Sequence, residues 1–135
     1  MGGFDTASDG AARVLVVDDS EAIRQLIVVN LELEGYDVRS AVDGQQALEV
    51  ISEWRPDVVT LDVVMPRLGG LETLERLRAD PRTADIRVVI VTARAQSADR
   101  ARGEALGADE YLTKPFEPAE LIGVVTRLAR AGRRV

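Results

Sequence analysis

The sequence contains no cysteine and no histidine, and its only lysine, Lys114, stands against 16 arginines. The lack of cysteine excludes disulfides and thiolate metal sites, and it suits a reducing cytoplasm. The lack of histidine excludes histidine acid–base catalysis, histidine-ligated zinc and a phosphohistidine carrier. A single lysine among arginines reflects either codon bias or a site that needs a compact ammonium instead of a planar guanidinium.

Long apolar runs are missing as well. None approaches the roughly 18 residues of a membrane span, and the first residues have neither the basic start nor the apolar segment of a secretory signal. We therefore expect a cytoplasmic protein that does not contact a membrane. The net charge of −6 also argues against direct binding of nucleic acid by the domain itself.

The length of 135 residues fits one domain with a core of its own. Residues 1–11 contain three glycines, two aspartates and few apolar groups, which predicts a disordered N-terminal tail. We place the folded domain at residues 12–131 and a C-terminal tail at residues 132–135.

Within this domain, short β-branched runs alternate with amphipathic segments five times. The strands are predicted at 13–17, 36–42, 57–61, 86–91 and 109–113, and the helices at 20–34, 44–54, 71–78, 98–106 and 118–130. Alternating strands and helices with short connections indicate a parallel sheet covered by helices on both faces. Right-handed crossovers leave few topologies, so the sequence predicts a flavodoxin-like (βα)5 three-layer α/β fold with strand order 2-1-3-4-5.

Polar side chains follow four of these strands. Asp18 and Asp19 come after the first strand, Asp62 after the third, Thr92 after the fourth and Lys114 after the fifth. Ligands in such sheets bind beyond the carboxyl ends of the strands, where the strand order reverses. Three carboxylates would repel one another there unless a hard divalent cation bound them, and Mg²⁺ favours carboxylates together with a phosphate.

Each residue also has a simpler interpretation when it is taken alone. Asp19 or Ser20 could cap the first helix, and Thr92 could be a loop hydroxyl. Tyr111 could be an aromatic that packs on its strand. Asp62 is harder to explain in this way, because an acid that ends an apolar run is a poor core residue.

The motifs at these positions resemble the receiver domain of two-component response regulators over residues 13–130. The resemblance is carried by Val16-Val17-Asp18-Asp19-Ser20, Leu61-Asp62-Val63-Val64-Met65-Pro66 with Gly69-Gly70, Val91-Thr92-Ala93, and Gly107-Ala108-Asp109-Glu110-Tyr111-Leu112-Thr113-Lys114-Pro115-Phe116. It implies a signalling phosphoacceptor that catalyses only its own phosphorylation and slow dephosphorylation, not an enzyme acting on other substrates.

The resemblance also implies a role for each acid. Asp62 would take the phosphoryl group, and Asp19 would ligate Mg²⁺ directly, with Mn²⁺ able to substitute. Asp18 would bind the ion mostly through water, and the backbone carbonyl of Val64 would complete the protein ligands. Lys114 would pair with Asp62 and then with a phosphoryl oxygen.

Further roles concern the response to phosphorylation. Thr92 would bind another phosphoryl oxygen, and Tyr111 would swing toward the space that Thr92 vacates. The peptide bond between Lys114 and Pro115 would be cis. Val64 and Arg94 would tune hydrolysis, because Val64 cannot orient a water and Arg94 is long enough to cover the phosphoryl group.

The implied partners are a histidine kinase or a histidine phosphotransfer protein, together with an output partner that the sequence does not identify. The phosphorylated surface would comprise the fourth helix, the fifth strand and the fifth helix, in a monomer or a phosphorylation-dependent dimer. The arginine that one branch of regulators carries early in the last helix, for dimer pairing, is absent from Leu121-Ile122-Gly123-Val124-Val125.

Several alternatives stay open. The chain could be a stand-alone receiver, as in chemotaxis regulators, or a receiver cut from a longer DNA-binding or enzymatic regulator. An aspartate-nucleophile phosphatase would need an acid at position 64, where this chain has Val64. An FMN carrier would need a phosphate loop after the first strand, where Asp18 and Asp19 would repel a phosphate.

Overall fold

The computed structural model of the protein describes residues 10–94 and 96–134. The predicted disordered tail therefore lies almost wholly outside the described residues, and its conformation stays a prediction. Within the described ranges, no helix is long and apolar enough to cross a membrane.

The predicted alternation of strands and helices is confirmed throughout the domain. The strands are β1 (Arg13–Val17), β2 (Asp37–Ala41), β3 (Val58–Leu61), β4 (Arg87–Thr92) and β5 (Glu110–Thr113). The helices are α1 (Glu21–Leu33), α2 (Gly44–Trp54), α3 (Gly70–Ala79), α4 (Ser97–Ala105) and α5 (Pro118–Ala131). Ser20 proves to be the N-cap of α1 and not its first residue, because its hydroxyl accepts a hydrogen bond from the backbone N–H of Ile23 at 3.4 Å.

The five strands form one parallel sheet in the order β2-β1-β3-β4-β5, which confirms the predicted fold class. Val17 at the end of β1 lies beside Leu61 at the end of β3. The residue that follows β3 is tied to the same place, since the backbone N–H of Asp62 donates to the carbonyl of Val17 at 3.1 Å. The register therefore brings the carboxyl ends of β1 and β3 together at the point where the strand order reverses.

Alternate side chains of the strands supply two separate cores, one on each face of the sheet. On one face α1 and α5 bury Ile27, Leu31, Leu121 and Val125. On the other face α2 and α3 supply Ala47, Ile51, Trp54, Leu74 and Leu77, which pack with the Tyr111 ring of β5. This two-sided burial fixes the sheet and leaves the loops at its carboxyl edge free to carry function.

An ionic cluster closes the opposite edge of the sheet. Asp109 accepts from Arg78 at 3.1 Å and from Arg87 at 3.0 Å, and Arg134 lies 3.7 Å away. Burial, followed by the charge of Arg134, lowers the pKa of Arg78 to about 10. The Gly132 carbonyl also accepts from Arg87 at 2.7 Å. Residues of the predicted C-terminal tail therefore contact the folded domain through Gly132 and Arg134.

Candidate functional site

Three carboxylates meet at the carboxyl edge of the sheet. Asp18, Asp19 and Asp62 each offer one oxygen, and these atoms lie within 4.8 Å of one another. Asp18 and Asp62 are buried, with 2% and 7% of their surface exposed, whereas Asp19 is exposed. Oxygen ligands at this spacing suit a hard divalent cation, so the residues present fit Mg²⁺.

Lys114 joins this cluster from the end of β5. Its Nζ atom donates to Oδ2 of Asp18 at 2.7 Å and to Oδ2 of Asp62 at 2.9 Å. Burial alone would lower the pKa of Lys114, but its hydrogen bonds to both carboxylates and their charges raise that pKa above its ordinary value. The ammonium is therefore charged at neutral pH, and one positive charge against three carboxylates leaves the site with an excess of negative charge.

The loop after β1 fixes Asp18 from several directions. Its Oδ1 atom accepts from the backbone N–H of Ser20 at 2.9 Å, so both of its carboxylate oxygens have protein donors. Its carbonyl accepts from Nη1 of Arg24 at 2.9 Å. Among the residues that the structure describes, no donor is bonded to the carboxylate of Asp19. Asp18 is thus held by protein donors, whereas the exposed Asp19 contributes an oxygen to the cluster without such a bond among the described residues.

Thr92 ends β4 beside the end of β5, and only 1% of its surface is exposed. Its hydroxyl accepts from the backbone N–H of Arg94 at 3.3 Å, and its carbonyl accepts from the N–H of Lys114 at 2.8 Å. The Lys114–Pro115 peptide bond is cis. Sheet pairing therefore places Thr92 and Lys114 side by side at the same edge as the acids.

The ring of Tyr111 is buried between β4 and α4. Its hydroxyl donates to the carbonyl of Arg94 at 2.6 Å, and the Arg100 guanidinium lies 4.9 Å from the ring centroid. A Cβ atom at Gly103 would stand in ordinary contact with two ring carbons at 3.4 Å, so only a side chain larger than alanine would compete with the ring for space. Burial, with the charge of Asp99, raises the pKa of the Tyr111 hydroxyl. The ring thus links the loop after Thr92 to α4.

The two residues with a predicted role in hydrolysis differ in their surroundings. Val64 is 55% exposed, and its backbone N–H donates to Oδ1 of Asp62 at 3.2 Å. The guanidinium of Arg94 pairs with Asp99 in the first turn of α4 at 3.2 Å. The side chain of Arg94 is therefore engaged with α4 in this arrangement of the loop.

Comparison with known proteins agrees with this geometry. A family model described as the response regulator receiver domain matches residues 14–126. The chain belongs to this family. It is the receiver domain of a two-component response regulator, and such domains of transcriptional regulators are signalling phosphoacceptors rather than catalytic enzymes.

Individual relatives of this receiver domain include transcriptional regulators. The chain is 43% identical over 123 residues to the DNA-binding dual master transcriptional regulator RpaA of Synechocystis, with 91% of this chain and 51% of that protein covered. It is 39% identical to the phosphate regulon transcriptional regulatory protein PhoB of Pseudomonas aeruginosa, with 87% and 51% covered. The chain thus spans about half the length of the curated relatives it matches.

Solved structures resemble the receiver domain over its full length. The chemotaxis protein CheY4 of Vibrio cholerae has a TM-score of 0.84 and 34% identity, and the match covers 88% of this chain and 99% of that one. The receiver domain of the Francisella response regulator 1452 has a TM-score of 0.83 and 37% identity, with 89% and 98% covered.

Sequence reasoning did not predict two features around the acids of this receiver domain. Gly70, the first residue of α3, lies so close to Asp62 that a Cβ atom would stand 2.0 Å from the Asp62 carbonyl oxygen. Asp43 is buried next to Arg67 of the loop between β3 and α3, and Nε of Arg67 donates to it at 2.7 Å. The available signals were the Gly69-Gly70 pair and the spacing of Asp43 to Gln46, which is typical of a capping box.

Proposed function

We propose that Asp62 is the phosphoacceptor of this receiver domain. The observation that supports this best is the bridge that Nζ of Lys114 makes from Asp18 at 2.7 Å to Asp62 at 2.9 Å. It holds one oxygen of Asp62 beside a positive charge, and the other accepts from the Val64 N–H at 3.2 Å. Phosphoryl transfer depends on positioning and charge neutralisation more than on acid–base groups, which suits a chain without histidine.

The proposed donor is the phosphohistidine of a histidine kinase or a histidine phosphotransfer protein. A carboxylate oxygen of Asp62 attacks the phosphorus, and the P–N bond of the donor breaks. The electron pair of that bond returns to the imidazole nitrogen, which takes up a proton from solvent. The product is an acyl phosphate on Asp62, and the charge of Lys114 offsets the charge that the phosphoryl oxygens bring.

Receiver domains bind Mg²⁺ at an acidic pocket, and the cluster of Asp18, Asp19 and Asp62 matches such a pocket. We propose that Asp19, Asp62 and the carbonyl of Val64 hold the ion directly and that Asp18 holds it through water. The exposure of Asp19 and the two donors already bonded to Asp18 support this division. When bound, Mg²⁺ or Mn²⁺ supplies positive charge that neutralises the transferred group.

Thr92 and Tyr111 are the proposed switch. The Thr92 hydroxyl would exchange its bond from the Arg94 N–H for a phosphoryl oxygen, and the loop after β4 would move with it. Because the Tyr111 hydroxyl donates to the carbonyl of Arg94 at 2.6 Å, that movement would reach the tyrosine ring. The surface formed by α4, β5 and α5 would then change for an output partner, in a monomer or a phosphorylation-dependent dimer.

The wider setting is also a proposal. We place the protein in the cytoplasm, as the sequence suggests. Relatives named as transcriptional regulators, one of them as DNA-binding, are about twice as long as this chain. That the receiver domain does not itself contact nucleic acid stays a prediction.

Phosphorylation with acetyl phosphate and a magnesium salt, followed by intact-mass measurement, tests the assignment. We expect the wild type to gain one phosphoryl group and Asp62→Asn to gain none. Asp37→Asn is the matched control, because Asp37 starts β2 at the opposite edge of the sheet and should be phosphorylated as in the wild type. A phosphoryl group that persists in Asp62→Asn would refute Asp62 as the acceptor.

A further inference from the structure

The loop between β3 and α3 carries an ion pair that the proposed chemistry does not use. Arg67 in this loop has a φ of 66°, a left-handed conformation that residues other than glycine rarely adopt. Its Nε atom donates to Oδ2 of Asp43 at 2.7 Å, and its Nη2 atom contacts the same oxygen. An uncommon backbone conformation persists only where surrounding contacts hold it. The ion pair with Asp43 is such a contact for Arg67.

Asp43 is a rigid anchor for this pair because the protein fixes it on both sides. Its side chain is 2% exposed, and its Oδ1 atom accepts from the Gln46 N–H at 2.9 Å at the start of α2. The side chain of Gln46 accepts in turn from the N–H of Val42 at 2.8 Å, one residue before the cap, so a second bond ties this loop to the start of α2. A buried carboxylate needs its charge partner, so Asp43 also depends on Arg67.

A second contact joins the same two loops through their backbones. The Gly44 N–H donates to the carbonyl of Leu68 at 3.0 Å. The approach is close, because a Cβ atom at Gly44 would stand 2.5 Å from that carbonyl and 2.1 Å from the Thr73 hydroxyl. The loop after β3 is therefore clamped onto the start of α2 at two consecutive residues, Arg67 and Leu68.

The other end of the same loop is the phosphoacceptor itself. Asp62 begins it, Val64 follows, and the Gly70 N–H returns to the carbonyl of Val63 at 3.0 Å. Val64 is exposed and its N–H donates to Asp62, but its carbonyl accepts no hydrogen bond from the described residues. The position of that carbonyl thus depends on contacts at two places in the loop. One is the bond from Gly70 to Val63, next to Asp62, and the other is the attachment of Arg67 and Leu68 to the start of α2.

We propose that Asp43 and Arg67 are positioning residues that hold the Val64 carbonyl in place for Mg²⁺ and thereby set the metal affinity of the site without touching it. This inference rests on the proposed function of Asp62 and its neighbours. Replacing a residue that orients a metal ligand without binding the metal itself commonly lowers the affinity of the site for the metal. An exposed ion pair with no such role would contribute little, and its loss would leave metal binding unchanged.

The test compares Arg67→Ala and Arg67→Gly with the wild type. Glycine accepts the φ of 66° that alanine resists, so an effect common to both variants comes from the lost ion pair and not from backbone strain. Arg82→Ala is the control, because Arg82 forms an arginine–aspartate ion pair with Asp80 at 3.0 Å that is exposed and lies outside this loop, in the turn after α3. Arg67→Lys keeps a donor and should recover part of the loss.

Two measurements report on the loop directly, in the protein without added phosphate. Hydrogen exchange of the Gly44 amide follows the bond between the loops, and we expect it to become about tenfold faster in both Arg67 variants. An NMR titration with magnesium chloride gives the Kd, which we expect to rise about tenfold in both variants. Arg82→Ala should match the wild type in both measurements.

The outcomes separate this inference from the proposed function. If the wild type does not bind Mg²⁺ at the acids, the proposed function fails first and the inference fails with it. If the wild type binds and both Arg67 variants have the same Kd to within about twofold, the proposed function stands and the positioning role is wrong. Loss of affinity in Arg82→Ala as well would also overturn the inference, because the effect would not be specific to this loop.

Discussion

Replacing Gly70 by alanine should displace the proposed phosphoacceptor directly. The new Cβ atom would stand 2.0 Å from the carbonyl oxygen and 2.7 Å from the carbonyl carbon of Asp62, where ordinary contacts begin at 3.4 Å. Because both atoms belong to the backbone, α3 or the end of β3 must move by roughly 1.4 Å. A misplacement of about 1 Å can slow a reaction by about a hundredfold, so we expect a loss of that order in the rate of phosphorylation by acetyl phosphate.

The variant should nevertheless fold. Overpacking costs about 1–3 kcal/mol, against a usual total of about 5–15 kcal/mol. Gly69→Ala is the control, since its Cβ atom would meet the Val63 carbonyl at 3.1 Å and needs only a small adjustment. Phosphorylation is followed by intact mass and stability by urea unfolding. Equal phosphorylation rates in folded Gly70→Ala and Gly69→Ala would refute the argument.

Two further predictions concern the switch and the lifetime of the acyl phosphate. Gly103→Leu should push the Tyr111 ring out of its position and lower the stability. In contrast, Gly123→Leu, where a Cβ atom has open space, should gain somewhat less than the roughly 0.8–1.0 kcal/mol of helix propensity that alanine would give. Unchanged Tyr111 ring signals in an NMR spectrum of Gly103→Leu would contradict this prediction. The apolar Val64 should make the acyl phosphate last for minutes or longer, and Val64→Asn with Arg94→Glu should shorten it by about tenfold, or about 1.4 kcal/mol of barrier. A wild-type lifetime of seconds, measured by intact mass without a phosphatase, would exclude that role.

The fold could be predicted because local and global signals agree along this chain. The run from Arg13 to Val17 is apolar enough for a strand buried on both faces, and its last four residues are buried in the structure. Gly35 predicts the end of α1 from the sequence, because helices commonly end at a glycine in the left-handed conformation. In the structure it has a φ of 96°. The exact ends of the helices and strands were harder to predict. Ser20, for example, is a cap and not the first helical residue because of one hydrogen bond to its hydroxyl, and the periodicity of the sequence does not encode that bond.

The acids could be placed together for a similar reason, since the carboxyl ends of parallel strands share one edge of the sheet. The hydrogen-bond partners of each acid could not be predicted from the sequence, because they depend on how the loops fold. The family resemblance paired Lys114 with Asp62 alone, but the Lys114 ammonium also reaches Asp18, at the shorter distance of 2.7 Å. That contact distinguishes the two neighbouring acids: Asp18 is buried and held by protein donors, whereas the exposed Asp19 keeps its oxygens accessible. The proposed division of direct and water-mediated ligands, which the sequence could take only from a resemblance, agrees with the reach of this one lysine.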